Sequence, residues 1–199
     1  MSPIKLILPI FIYILVISEP SCASEGVLKD ANFYTVKFRT SVYKPFREDK
    51  NAGLRKGSGF LVNKDKGLIL TNAHVTGRSK SKVRVAFKNY GFLPVKQVYV
   101  DPRIDIAIVQ INPKLIPIEA KEAKLKCDGK VPSGTSVAAF GHPKDLSFSA
   151  SRGIVSKYRF FSGKDVIQTD TAINQGNSGG PLIDMNTGLV IGVNKSSYT

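Results

Sequence analysis

The chain has 199 residues, with 29 Lys+Arg against 15 Asp+Glu for a formal charge of +14, two cysteines and no tryptophan. A hydrophobic fraction of 42% and a charged fraction of 22% exclude a disordered or collagen-like chain, and the length suits a domain held by its own core. The charge alone raises nucleic-acid binding as a reading to be weighed.

The chain opens with Lys5, the apolar run Leu6–Ile17 and the small residues Ser21 and Ala23. This predicts a secretory signal, residues 1–23, cleaved after Ala23. The run is interrupted by Pro9 and is shorter than the roughly 20 residues of a spanning helix, so no stable membrane anchor is expected. Glu19 and Pro20 argue against lipid attachment through Cys22. The segment carries one Lys and one Glu, so export to the periplasm or the medium leaves the charge unchanged. Export also leaves Cys127 without an intramolecular partner, and its basic setting, Lys121–Lys130, marks it as a surface thiol.

The body reads as β-structure. Val36 and Phe38 alternate with Lys37 and Arg39 in Phe33–Thr40, and the same period of two recurs in Val83–Lys88. Further strands are expected at Gly59–Asn63, Leu68–Thr71, Val95–Val100, Asp105–Ile111, Thr135–Gly141, Phe148–Lys157, Val166–Thr169 and Leu189–Asn194. Only a single turn, Ala73–Thr76, reads as helical. The Pro- and Lys-rich stretch Asn112–Lys130 divides the strands into two groups. The expected fold is therefore all-β, with two antiparallel barrels at about 31–112 and 131–199 joined by a linker at about 113–130. The basic residues are spread over Lys44–Lys56, Arg78–Lys82 and Lys121–Lys130 without a binding motif, so a solvated basic surface is expected and no nucleic-acid partner.

Three motifs carry chemistry. In Gly176-Asn177-Ser178-Gly179-Gly180, glycines around a serine permit a tight turn with an unobstructed hydroxyl, whose amides at Gly176 and Ser178 can converge on an oxyanion. In Thr71-Asn72-Ala73-His74-Val75, a histidine in a helical turn directly after a strand suits a general base. His142, the other histidine, lies in a Gly-His-Pro turn and reads as a loop residue. Asp105 opens an apolar strand, where a carboxylate needs a partner such as a histidine to orient. Asp101, in the preceding turn, is the lesser candidate.

The order His, Asp, Ser on a two-barrel chain resembles the trypsin-like serine proteases of the HtrA/Deg family. The resemblance runs through Gly57–Phe60, Thr71–Val75, Asp101–Val109, Ala139–Pro143, Gly153–Ser156 and Ile167–Leu182. It implies Ser178 as nucleophile, His74 as base and acid, and Asp105 as the residue that orients His74. It also implies an oxyanion hole at Gly176 and Ser178 with the Asn177 amide as helper, and no metal or cofactor. Substrates would be proteins or peptides. An S1 pocket around Ala172, Ile173, Val193 and Asn194 carries no acid and would favour an aliphatic side chain. A homotrimer is implied by the resemblance alone. The family continues beyond the strand Leu189–Asn194, so the second barrel is expected to be incomplete and the C-terminus truncated. A chaperone-like peptide-binding protein of the same fold stays open as the alternative.

Overall fold

The computed structural model describes residues 23–45, 52–128, 130–143, 147–161 and 163–195. The expected signal segment lies outside the described residues except for Ala23, and Cys22 lies outside them too. Among the described residues no helix is long and apolar enough to cross a membrane.

The first element departs from the sequence reading. Residues Ala23–Tyr34 form a helix, α1, where only the strand Phe33–Thr40 was expected. Val27, Leu28, Ala31 and Tyr34 follow helical spacing and pack on the main core, while Lys29, Asp30 and Phe33 stay exposed. The strand starts two residues later, as β1 (Thr35–Val42), with Val36, Phe38 and Thr40 buried at every second position.

Six strands close a barrel in the order β1-β2-β3-β6-β5-β4: β1, β2 (Gly53–Asn63), β3 (Leu68–Thr71), β4 (Ser81–Ala86), β5 (Leu93–Asp101) and β6 (Ile106–Gln110). Strand β2 starts well before the expected Gly59 and pairs with β1 along its whole length, from Thr35 opposite Phe60 to Val42 opposite Gly53. Closure removes free strand edges. The interior is filled by Val36, Phe38, Phe60, Ile69, Val85 and Val109, each nearly or wholly inaccessible. A single-turn helix, α2 (Ala73–Thr76), follows β3 as expected.

The remaining strands form a five-stranded sheet in the order β11-β10-β7-β8-β9: β7 (Ser136–Gly141), β8 (Ser149–Phe161), β9 (Lys164–Thr169), β10 (Pro181–Asp184) and β11 (Val190–Val193). Strand β10 was not expected. All four of its residues are buried, so it shows no alternation, and it begins with proline. This sheet has a small core of its own, Val131, Val137, Ala139, Val155 and Leu182. The larger core crosses between the two sheets, because Phe140, Ile183 and Val190 join the barrel residues in one cluster. Burial across that junction, at ~25 cal/mol per Å² of apolar surface, fixes the two halves against each other. The site lies where they meet. Cys127 is a free, exposed thiol.

Candidate active site

Asp105 sits in the turn before β6 with φ of 61°, a left-handed conformation that Asp tolerates better than most residues. That turn sends both its carbonyl and its carboxylate toward α2. The carbonyl accepts from Ala73 N–H at 3.2 Å and from Asn72 Nδ2 at 3.0 Å. The carboxylate accepts from His74 N–H at 3.0 Å through Oδ1 and meets His74 Nδ1 at 2.9 Å through Oδ2. An ionised carboxylate only accepts, so in the neutral ring Nδ1 carries the proton and Nε2 has the lone pair. Burial alone would raise the Asp105 carboxyl. The hydrogen bond, charge and backbone N–H of His74, together with Lys195, outweigh it and hold the group at about 2. Asp105 is therefore an anion at any pH at which the chain would work, and it is only 7% exposed. The His74 side chain is open to solvent on its other side. Asp101 is spent on its own turn, accepting from Arg103 N–H at 2.8 Å and from the Arg103 guanidinium at 3.4 Å.

Ser178 is buried in the turn that precedes β10. The turn Asn174–Asn177 closes with Asn177 N–H donating to Asn174 O at 3.0 Å. Its third residue, Gly176, has φ of 103°, as a type II turn requires. Closing this turn does not use the Gly176 N–H. It does use the Asn177 N–H, so Asn177 is not the expected helper of an oxyanion hole, and its side chain is buried in the interior. A Cβ on Gly176 would overlap the His142 carbonyl oxygen.

Ser58 is a functional residue that sequence reasoning passed over, although it stood in a motif already singled out. From β2 it donates Oγ–H to Gly176 O at 2.6 Å and accepts from His142 N–H at 3.1 Å. Its own N–H donates to Ser178 O at 2.8 Å. One residue of the first barrel thus holds three points of the serine's surroundings. Next to it, Val75 of α2 lies where a side chain on Gly57 would fall, with Ser178 O close by, so β2 is where the His74 helix and the Ser178 turn come together.

His142 is no ordinary loop residue. It is buried, with its ring edge-on to Phe148 at 4.3 Å between centroids. Phe148 N–H donates to Nδ1 at 2.9 Å, which fixes the neutral tautomer. Burial first, and then the Lys37 cation, push the imidazole down to about 3 against a backbone hydrogen bond at Val36. Because the folded value lies below the ordinary 6.5, the stability tied to neutral His142 is complete above about pH 6.5. It is lost as the pH falls toward 3, at up to about 1.4 kcal/mol per pH unit. In His142→Asn, whose Oδ1 can still accept from Phe148, the urea midpoint is expected to vary less between pH 6.5 and 4. An unchanged slope would remove His142 as the proton site.

Of the residues expected at an S1 pocket, Ala172 is exposed, Ile173 packs partly against the smaller core and Val193 against the larger one. The Asn194 side chain is buried and its amide donates to Pro181 O at 2.9 Å and Phe140 O at 3.4 Å, so the side chain pins the strand ends together. Among the described residues no group of three or more His, Cys, Asp or Glu side chains is placed to hold a metal.

Residues 57–193 match the trypsin-like peptidase domain family. A probable periplasmic serine endoprotease DegP-like of Pseudomonas putida (strain W619) is 39% identical over 147 residues, covering 72% of this chain and 29% of that protein. The serine protease HTRA1A of Danio rerio is 37% identical over 173 residues, covering 81% of this chain and 33% of that protein. This chain thus spans about a third or less of the curated relatives it matches. Among solved structures, an HtrA-type protease AlgW with tripeptide superposes with a TM-score of 0.71 at 28% identity, over 85% of this chain and 53% of that one. The serine endoprotease from Yersinia pestis gives 0.70 at 26% identity, over 90% and 60%. The barrel, the curled five-stranded sheet and the match across residues 57–193 agree: the chain belongs to the trypsin-like peptidase family, with HtrA- and DegP-type proteases among its relatives.

Proposed function

We propose that this chain is an exported serine endopeptidase that cleaves unfolded proteins or peptides through an acyl-enzyme. The observation that carries the reading is the double grip of Asp105 on His74, which orients the ring and leaves Nε2 with its lone pair. In this reading Ser178 Oγ attacks the substrate carbonyl carbon while His74 Nε2 takes the hydroxyl proton. The oxyanion is met by the N–H groups of Gly176 and Ser178. Collapse breaks the peptide bond and His74 hands its proton to the leaving amine. A water then attacks the acyl-serine by the same route and restores the hydroxyl. The apolar residues Ala172, Ile173 and Val193 support an aliphatic preference at S1, since no acid stands among them.

Covalent labelling with a fluorophosphonate probe tests this. The folded chain is expected to label at one site, and Ser178→Ala to abolish both labelling and peptide hydrolysis with an unchanged melting curve. A folded chain that does not label would instead favour a peptide-binding, chaperone-like role.

A further inference from the structure

The Asp105 carboxylate has a partner beyond His74. Lys195, the second residue after β11, places Nζ 3.1 Å from Asp105 Oδ2, the same oxygen that meets His74 Nδ1. The lysine leaves a well-fixed piece of chain. Just before it, Asn194 N–H donates to Gly180 O and Asn194 O accepts from Gly179 N–H, both at 2.8 Å. The backbone strip that holds the two residues after Ser178 therefore also sends a cation back to the first barrel.

Two effects follow. His74 already places a donor on each oxygen, and Lys195 adds a second, charge-assisted one to Oδ2, so turning the carboxylate breaks one more bond. The second effect is electrostatic. When His74 takes a proton, the imidazolium and the ammonium share one oxygen and lie at most about 6 Å apart, so they repel. The Lys195 side chain is about half exposed and that of Asp105 is largely buried, so solvent weakens this repulsion without removing it. The other charges around the pair are differently engaged. Arg55, from β2, donates to the His74 carbonyl at 3.3 Å, and Arg103 is paired with Asp101. Arg78 follows α2, and the turn Asn174–Gly180 carries no charged side chain.

We propose that Lys195 is a positioning residue of this site: it locks the Asp105 carboxylate from the second sheet and, by offsetting part of its charge, sets how readily His74 accepts a proton. The proposal rests on the reading of His74 and Asp105 as catalytic partners. Neither the β-pattern nor the basic composition pointed to it, because Lys195 is one of many cations in the sequence.

The full chain, compared with Lys195→Met and Lys195→Arg, tests it with two readouts: the pH–rate profile of acylation and the NMR titration of the His74 ring. Only two histidines are present, so the His142→Asn variant assigns the signals. Removing the charge is expected to move the acidic limb and the His74 midpoint to higher pH. Arginine should keep both near the parent values, and 1 M salt should shrink the difference between parent and methionine variant. Should methionine disturb packing, Lys195→Gln makes the same comparison. A His74 midpoint that stays in place without the charge, or one that arginine displaces as far as methionine does, overturns the proposal. A midpoint that moves in a chain without turnover would sink the endopeptidase reading and leave Lys195 standing. Normal turnover with an unmoved midpoint would do the reverse.

Discussion

Asp105→Asn is expected to lower kcat by about 10⁴ near neutral pH with little change in KM or in the melting curve, as loss of the orienting carboxylate does in a Ser-His-Asp triad. The size of the effect comes from the two-sided grip. His74 N–H needs the acceptor at Oδ1, so the asparagine oxygen stays there and its NH₂ faces the ring. A donor opposite Nδ1 forces that nitrogen to accept, which moves the imidazole proton to Nε2, the atom that should receive the proton of Ser178. The same NH₂ would also face the Lys195 ammonium, which then has no acceptor there. Steady-state kinetics on a peptide ester, with circular dichroism to check folding, measures this. A loss smaller than tenfold would mean that the His74 tautomer does not depend on Asp105.

Gly179→Ala should be the most damaging single methyl group in the region. Gly179 has φ of 87°, and a Cβ there would overlap Ser58 O and Thr71 Oγ1 and come within 3.2 Å of Asn72 N. Thr71 Oγ1 already donates to Ser58 O at 2.6 Å, so the crowded atoms are bonded to one another and have nowhere to move. Left-handed strain of about 1–3 kcal/mol adds to the steric conflict, and a total loss above about 3 kcal/mol in urea unfolding is expected. Any folded fraction should have lost most of its turnover, since Gly179 follows Ser178 directly. A midpoint close to the parent's would show that the two sheets can part here at little cost.

How much of this was legible in the sequence depended on whether the signal was local. The strands of the closed barrel were visible because Val36, Phe38, Val83 and Val85 alternate with charged residues, as a sheet with one wet face demands. Helix α1 was hidden because its apolar stripe ends at Tyr34, where the alternation of β1 begins, and the two periods overlap at Phe33 and Tyr34. Strand β10 was hidden because full burial erases alternation. At the site, His74, Asp105 and Ser178 each stood in a motif short enough to read. The supporting contacts did not. Ser58 with Gly176, Lys195 with Asp105 and Asn194 with Phe140 join residues far apart in sequence, and no property of one partner points to the other. The bonds of Asn177 and Asn194 were hidden for a related reason: nothing local in the sequence says which carbonyl an amide takes.

The clamp at Ser58 also bears on the order in which the molecule acquires its activity. Ser58 and Gly176 are 118 residues apart, so the bond between them closes a loop of more than half the chain and is expected to form late in folding. Until then nothing in the first barrel can hold the turn around Ser178 in shape. A partly folded copy would already carry every residue of the machinery and still be inert. On the proposed endopeptidase reading, this delay would keep a newly made chain from acting before it has folded.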